Sequence, residues 1–231
     1  MSAKAPKNFR TNHFEMFDTT FDIAGLAGPH NNGEDTGFVF DYLKDFGINI
    51  IIGLHDELNF TDQSKAHGLD YEYCRLTDFD TNGIPPEVID QIIQTIEKNV
   101  RSSNKVAIHC GTGNGRTALI ITALKIKQLY EAAVTTDPSI LDQEVTYHSD
   151  YKIAGTMMNA EIPTSKVVKA AIEEIRTERK TTDDDPSAGE SVIETIFDIM
   201  SLLKYQQHLQ KKLKATLEEE PEPLASKNIE L

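Results

Sequence analysis

Residues 106–118, with the sequence VAIHCGTGNGRTA, decide the fold of this chain. An apolar run ends at Cys110, a loop with glycines at every second position follows, and a helical pattern begins near Arg116. Glycines allow the loop backbone to curl until successive N–H groups face one concavity, and a helix N-terminus adds the positive end of its dipole at the same place. A strand, a glycine-rich loop and a helix in this order predict a binding site for a dianion such as phosphate.

The side chains of this stretch also predict chemistry. Cys110 lies at the base of the positive potential, which favours the thiolate, the nucleophilic form of cysteine. Arg116 carries a planar guanidinium that holds two phosphate oxygens at once. We expect His109 to brace the loop through hydrogen bonds and the Thr117 hydroxyl to contact the sulfur. The residues predicted to bind phosphate are Gly111, Thr112, Gly113, Asn114, Gly115 and Arg116.

Strands and helices alternate on both sides of this loop. Apolar runs bounded by turn residues predict strands at 21–28, 48–54, 71–79 and 105–110. Apolar residues three and four apart predict helices at 39–46, 85–100, 115–133 and 165–180. A capping pattern at Ser191 and Glu194 predicts a further helix that ends at about 214. The alternation indicates an α/β domain whose central, mostly parallel sheet is flanked by helices.

The chain has 231 residues, contains no repeat or Gly/Ser linker, and is predicted to form one domain at residues 19–214. Residues 1–18 are expected to be a flexible lead-in. Residues 215–231 are acidic and contain proline, and we expect them to be a disordered tail. Within the domain, residues 134–164 show no clear periodicity and are predicted to be irregular.

Charge and composition exclude several functions. The 23 basic and 37 acidic residues give a net charge of −14, which repels nucleic-acid phosphates and anionic lipid surfaces. No apolar run approaches the roughly 18 residues of a membrane-spanning helix, and the first residues lack the apolar core of a secretory signal. Cys74 and Cys110 are the only cysteines, which excludes a disulfide framework and a Cys-based zinc cluster and favours a reducing compartment such as the cytoplasm.

The stretch HCGTGNGRT, residues 109–117, matches the signature H-C-x-x-G-x-G-R-[ST]. In this signature the chain resembles the Cys-dependent protein tyrosine and dual-specificity phosphatases. The resemblance implies a protein tyrosine phosphatase-like fold and a phosphocysteine intermediate, formed when Cys110 attacks phosphorus. It also implies that an upstream aspartate protonates the departing oxygen and then activates water, and that no metal or cofactor takes part.

The aspartate implied by this resemblance has two candidates in RLTDFDTNGIPPEV, residues 75–88. Asp78 and Asp80 precede the signature cysteine by 32 and 30 residues, and both distances suit the family. The stretch from Asp80 to Pro85 resembles the acid loop D-x-G-[VI]-P with one extra residue, so Asp80 is favoured and Asp78 is the alternative. Gly83 and Pro85 suit a hinged loop that closes over bound phosphate.

The chain has no Trp and therefore lacks the Trp-Pro-Asp loop of the tyrosine-specific branch. The resemblance thus favours an atypical dual-specificity-like branch that acts on phosphotyrosine, and also on phosphoserine or phosphothreonine, in proteins. Two alternatives stay open: a phosphatase of a small phosphorylated metabolite, nucleotide or inositol phosphate, and a phosphate-reading module without catalysis. The intact cysteine, arginine and aspartate candidates argue against the second. The oligomeric state is not predicted.

Overall fold

A computed structural model describes residues 5–16, 19–32, 36–55, 57–77, 83–153, 156–180 and 195–219. The strands of its main sheet are β1 (Arg10–Met16), β2 (Thr19–Ala27), β3 (Ile50–Gly53), β4 (Asp70–Tyr73) and β5 (Val106–Cys110). Their order across the sheet is β1-β2-β5-β3-β4. β1 runs antiparallel to β2, whereas the other neighbouring pairs are parallel. The predicted α/β fold with a mostly parallel sheet is confirmed.

The described residues form the helices α1 (Gly37–Asp45), α2 (Thr61–Ala66), α3 (Pro86–Arg101), α4 (Arg116–Thr136), α5 (Lys166–Lys180) and α6 (Ile196–Glu219). Helix α3 begins at Pro86, because proline suits the first helical turn, and it buries a stripe that includes Ile89 and Ile93. Helix α4 is buried from Arg116 to Ile126, as its nearly all-round apolar pattern predicts. Within the described ranges, no helix has the length and apolar character needed to cross a membrane.

The two faces of the sheet differ in chemistry. One face is aliphatic and packs against α3, α4, α5 and α6; its central strands contribute Ile50, Ile52, Val106 and Ile108. On the other face, Ile51 and Ala107 pack against α1 and against Phe60. Neighbouring residues belong to opposite faces because successive side chains of a strand point in opposite directions. The core therefore lies in two layers, one on each side of the sheet.

The carboxyl ends of the central strands meet at one edge of the sheet. Cys110 is level with Ala27 of β2, and His109 is level with Gly53 of β3. The chain segments that leave β2, β3 and β5 therefore lie beside one another. Ligands of parallel α/β sheets bind at this kind of edge, and the predicted phosphate loop begins here.

The prediction of a flexible lead-in at residues 1–18 was wrong for β1. This strand pairs along its length with β2, and both Asn12 and Phe14 are completely buried. The buried residues alternate with exposed neighbours, which is the period of a half-buried strand. The segment looked unstructured because most of its residues are polar, yet an edge strand needs few apolar contacts. Here Phe14 stacks on Phe21 with ring centroids 5.6 Å apart.

Residues 134–164, predicted to be irregular, contain most of a hairpin. Strand β6 (Glu144–Ile153) pairs antiparallel with β7 (Thr156–Ser165), outside the main sheet. Tyr147 and Ile162 lie opposite each other and are buried. Arg176 of α5 donates to the Tyr147 hydroxyl at 2.6 Å. The prediction was wrong although β6 carries a period of two: Val145, Tyr147, Tyr151 and Ile153 alternate with polar residues, which is typical of a half-buried strand.

The ends of several elements differ from their predicted positions. Helix α6 continues to Glu219, past the domain end predicted at 214, because the residues ATLEE that follow favour helix despite their acidity. The strand predicted at 71–79 ends at Tyr73. The helices predicted at 39–46, 85–100, 115–133 and 165–180 are confirmed as α1, α3, α4 and α5. Residues 220–231 and the capping pattern at 191–194 lie outside the described residues.

Candidate active site

Cys110 is the last residue of β5 and is buried at the base of the loop that follows. The backbone N–H of Gly113 donates to Cys110 Sγ at 3.3 Å, so the loop folds back over the sulfur. Gly113 has a φ of +85°, and a Cβ at this position would lie 2.6 Å from the backbone of Leu26. Glycine is therefore required here for the loop to close above the thiol.

Arg116 is the first residue of α4, and its side chain returns to the loop. Its Nη1 donates to the carbonyl oxygens of Leu54, at 3.3 Å, and Leu76, at 2.8 Å, which follow β3 and β4. These bonds hold the guanidinium so that Nη2 lies 3.7 Å from the position that a Cβ would occupy at Gly111. The planar fork is thus beside the loop, where it can bind phosphate oxygens.

The carbonyl groups of the loop are held from outside. Gly111 O accepts from the backbone N–H of Gly28 at 2.8 Å and from Asn31 Nδ2 at 2.7 Å. Thr112 O accepts from Asn8 Nδ2 at 2.8 Å. The C=O and N–H of a trans peptide point in opposite directions. Carbonyls held outward therefore direct the N–H groups that follow them toward the inside of the loop.

His109 supports the loop from the other face of the sheet. A carbonyl oxygen only accepts, so His109 Nδ1 donates to Cys110 O at 3.2 Å, and its Nε2 accepts from the Tyr71 hydroxyl at 2.9 Å. Burial lowers the pKa of His109 to about 4, so the ring is neutral at neutral pH. Gly53 leaves room for this contact, because a Cβ there would lie 1.9 Å from the Tyr71 hydroxyl.

Comparison with known families agrees with this geometry. Residues 25–129, from β2 into α4, match the model of the family described as Tc-R-P, polymorphic toxin system, DSP-PTPase phosphatase. The chain contains a DSP-PTPase phosphatase domain. Over residues 25–129 it resembles the Cys-based phosphatases of the PTP/DSP superfamily. No curated protein matches the chain.

Solved structures of phosphatases share the fold of this domain. The kinase associated phosphatase KAP, with its catalytic cysteine changed to serine, aligns with a TM-score of 0.55 and 15% identity over 92% of this chain and 99% of its own. The core catalytic domain of the PP-IP phosphatase SIW14 from S. cerevisiae aligns with a TM-score of 0.51 and 13% identity over 95% of this chain and 98% of its own. A mutant form of Tk-PTP aligns with a TM-score of 0.50 and 14% identity over 87% of this chain and 97% of its own. At these identities the likeness establishes the fold alone.

The remaining residues predicted to take part lie in the phosphatase loop, residues 110–116, or just after it at the start of α4. Thr112 is exposed at the rim, and Asn114 N lies 3.5 Å from its hydroxyl oxygen. Gly115 is open, because a Cβ there would meet nothing within 4 Å. Thr117 is buried in α4, and its hydroxyl has no hydrogen-bond partner among the described residues. The contact predicted between the Thr117 hydroxyl and the sulfur is therefore not a hydrogen bond in this structure.

Both candidates for the acid of the phosphatase reaction, Asp78 and Asp80, lie outside the described residues. The chain is anchored on either side of them. Before them, Leu76 O accepts from Arg116, and after them the N–H of Ile84 donates to Ser201 Oγ of α6 at 2.9 Å. Leu76, two residues before Asp78, is therefore bound to the guanidinium, and the choice between Asp78 and Asp80 stays a prediction.

Cys74 is too far from Cys110 to form a disulfide with it. The N–H of Cys74 donates to Gly53 O, which extends β4 beside β3, and Gly53 is level with His109 of β5. The two cysteines are thus separated by two strand spacings of about 4.8 Å each, whereas a disulfide needs Cα atoms within about 7 Å. Burial, followed by the charge of Glu72, raises the pKa of the Cys74 thiol. In the described part of the chain, no group of three or more His, Cys, Asp or Glu side chains is placed to hold a metal ion.

Sequence reasoning missed the residues that hold the phosphatase loop from other segments. These are Tyr71 on β4, Asn31 after β2 and Asn8 before β1. A partial signal existed in GPHNN, residues 28–32, because a polar turn at the carboxyl end of a strand next to β5 must lie at the site. No comparable signal points to Asn8, whose position depends on the pairing of β1.

Proposed function

We propose that the chain hydrolyses phosphomonoesters of phosphoproteins through a phosphocysteine intermediate, acting on phosphotyrosine and also on phosphoserine or phosphothreonine. The observation that carries this proposal is the N–H of Gly113 directed at Cys110 Sγ, in a loop flanked by the guanidinium of Arg116. Backbone N–H groups and a guanidinium around a sulfur atom form a site for the oxygens of a phosphoryl group under attack.

In the proposed reaction, the Cys110 thiolate attacks phosphorus in line with the leaving oxygen, so that the S–P bond forms as the P–O bond breaks. The carboxylic acid of Asp80, or of Asp78, gives its proton to the departing oxygen. Water then attacks the phosphocysteine, the same carboxylate accepts the water proton, and the thiolate leaves as inorganic phosphate is released. Arg116 and the loop N–H groups bind the negative oxygens in both steps.

Loop composition supports a substrate with a single phosphate. The residues between Cys110 and Arg116 are Gly, Thr, Gly, Asn and Gly, and none of them carries a charge. A loop without lysine offers no side-chain cation for a second phosphate, and the net charge of −14 repels polyanions. These features favour a phosphoprotein over an inositol phosphate, a nucleotide or a phosphorylated lipid as the substrate.

The proposed nucleophile favours a reducing location, because oxidation of a cysteine nucleophile removes its reactivity. We place the reaction in a reducing compartment such as the cytoplasm, with a phosphorylated protein as the partner.

Turnover by Cys110→Ser and by the wild type tests the proposed function. The serine variant keeps the loop N–H groups and Arg116, so we expect it to bind inorganic phosphate or vanadate and to lose at least about 10³-fold in turnover of an aryl phosphate. A panel of phosphotyrosyl and phosphoseryl peptides, nucleotides and inositol phosphates then tests the substrate class. Wild-type turnover in Cys110→Ser contradicts the mechanism, and a preference for the small molecules contradicts the phosphoprotein assignment.

A toxic role is a second candidate, because the matched family is described as a polymorphic toxin system phosphatase. This role predicts that expression of the wild type inside a bacterial or yeast host slows growth and that Cys110→Ser does not. Equal growth with both proteins, at equal expression, speaks against it.

A further inference from the structure

His55 lies at the rim of the phosphatase loop and has no part in the reaction described so far. It follows Leu54, whose carbonyl oxygen accepts from Arg116 Nη1 at 3.3 Å. His55 is half-buried. The backbone that carries it is therefore fixed to the same guanidinium that flanks the loop.

Two hydrogen bonds fix the orientation of the His55 ring. The backbone N–H groups of Glu57 and Leu58 donate to its Nδ1 at 3.0 and 3.1 Å. A nitrogen that accepts hydrogen bonds carries no proton, so these contacts assign the proton of the neutral ring to Nε2. His55 thus presents an N–H donor on the side of the ring opposite the chain segment that holds it.

The ring of His30 supports this orientation from the side. The two rings are nearly perpendicular, with an interplanar angle of 84° and centroids 4.9 Å apart. His30 is itself stacked on Phe60, with centroids 5.9 Å apart, and its Nε2 accepts from Asn31 Nδ2 at 3.0 Å. Asn31 also holds the carbonyl of Gly111, so the support of the His55 ring and that of the loop share one side chain.

One point above the loop lies close to both Arg116 and His55. The position that a Cβ would occupy at Gly111 is 3.7 Å from Arg116 Nη2 and 3.9 Å from His55 Nε2. Two donors that converge on one point beside an anion site can share the oxygens of a single phosphoryl group.

We propose that His55 is a phosphate-binding residue of this phosphatase, whose Nε2–H donates to a phosphoryl oxygen that lies beside Arg116. The inference rests on the proposed function for the identity of the substrate. A hydrogen bond from a fixed donor to a charged oxygen strengthens binding by about 10-fold or more.

Two substitutions separate this role from that of a loop anchor. In His55→Asn, the side-chain oxygen takes the place of Nδ1 and keeps the bonds from Glu57 and Leu58, while the donor at Nε2 is lost. In His55→Gln, the side-chain amide N–H takes the place of Nε2, while the acceptor at Nδ1 is lost. Each is made in Cys110→Ser protein, and the Kd of inorganic phosphate is measured by calorimetry. His148→Asn, at an exposed position on β6, is the control, and thermal unfolding verifies that each variant is folded.

We expect His55→Asn to weaken phosphate binding about 10-fold or more and His55→Gln to stay within about 3-fold of the parent. The inference is overturned if the asparagine variant binds like the parent, or if both variants lose the same affinity, because the donor is then not what matters. The proposed function has its own readout, the Cys110-dependent turnover of the otherwise wild-type protein. If turnover is absent while the two variants still differ as expected, the proposed function fails and His55 remains a phosphate ligand.

Discussion

Neighbouring residues of β5 point to opposite faces of the sheet and have different roles. On one face, Ile108 and Cys110 belong to an aliphatic cluster that extends into α3, α4, α5 and α6. On the other, His109 contacts the Tyr71 hydroxyl and lies 5.7 Å from Phe60 between ring centroids. Both faces bury apolar surface, but the second also holds polar rings that position the loop. The nucleophile candidate thus belongs to the aliphatic face, and the imidazole that supports its loop belongs to the other.

The largest effect on stability is expected on the aliphatic face. Ile108 is completely buried, so Ile108→Ala removes packed methyl groups and leaves a cavity, which lowers the free energy of unfolding by about 4 kcal/mol. The kcat for an aryl phosphate, measured well below the unfolding temperature, should stay within about 3-fold of the wild type because none of the hydrogen bonds that hold the loop involves the Ile108 side chain. Urea unfolding and steady-state kinetics check the two parts of this prediction.

Ile108→Val provides the graded control. Removal of one methylene group should lower the free energy of unfolding by about 1 kcal/mol and leave kcat unchanged. A large loss of kcat in a well-folded Ile108→Ala protein would contradict the division between the faces, because it would mean that aliphatic packing also positions the loop.

The next effect is a pH dependence that originates at His109, on the face of β5 opposite the aliphatic cluster, which we call the imidazole face. Burial, with smaller contributions from the charges of His30, His55 and Arg116, lowers the pKa of His109 to about 4, against about 6.5 in an unfolded chain. Between these values the unfolded chain binds more protons than the native one, so stability rises with pH. The contribution of His109 is fully present above about pH 6.5 and is lost as the pH falls toward 4. Its size is on the order of 3 kcal/mol.

Comparison with His109→Gln isolates this contribution from that of other groups. Glutamine does not titrate, so the free energy of unfolding of the variant should fall less than that of the wild type between pH 7 and pH 4. Urea unfolding at several pH values in this range measures both curves. Parallel curves would show that the pKa of His109 is the same in the native and unfolded states, and so that the imidazole face is accessible to water.

The same contrast explains how much of the fold could be predicted from the sequence. The aliphatic face was predictable, because long apolar stripes and continuous apolar runs mark α3, α4, α5, β3 and β5 directly. The elements that were missed bury little apolar surface. Strand β1 relies on Phe14, and the β6–β7 hairpin relies on a few residues such as Tyr147 and Ile162. Strand β1 is defined mainly by pairing to its neighbour, which leaves a weak local signal, whereas the alternation of apolar and polar residues in β6 is a local signal that predicts a strand.

The candidate site likewise has a part that could be predicted from the sequence and a part that could not. The loop could be predicted from residues 109–117 because its geometry is local to that stretch. Its supports could not, since they come from distant parts of the chain: Asn8 is 104 residues from the carbonyl it holds, Asn31 is 80, and Tyr71 is 38 residues from His109. Such contacts depend on strand order and register, which no local pattern specifies. The position of His55 beside the loop could not be predicted for the same reason.

The smallest expected effect is at Asn31, where the imidazole face meets the loop. Gly111 O accepts from both Asn31 Nδ2 and the N–H of Gly28, so Asn31→Ala leaves one donor in place. We expect kcat/KM for an aryl phosphate to fall about 5-fold, which corresponds to about 1 kcal/mol. Asn31→Asp keeps the size of the side chain but replaces the donor with an anion beside the phosphate site. A further loss of about 10-fold should follow from repulsion of the substrate.

Asn104→Ala is the matched control for Asn31. Asn104 Nδ2 donates to Asn99 Oδ1 near the opposite end of β5, so its loss should leave kcat/KM unchanged. If Asn31→Ala matches the control while Asn31→Asp remains impaired, the N–H of Gly28 alone orients the Gly111 carbonyl, and Asn31 matters only for charge. If both Asn31 variants match the control, the outer hydrogen bonds do not govern the loop, because its conformation is then set by the positive φ of Gly113 and by the bond from Gly113 N–H to the sulfur.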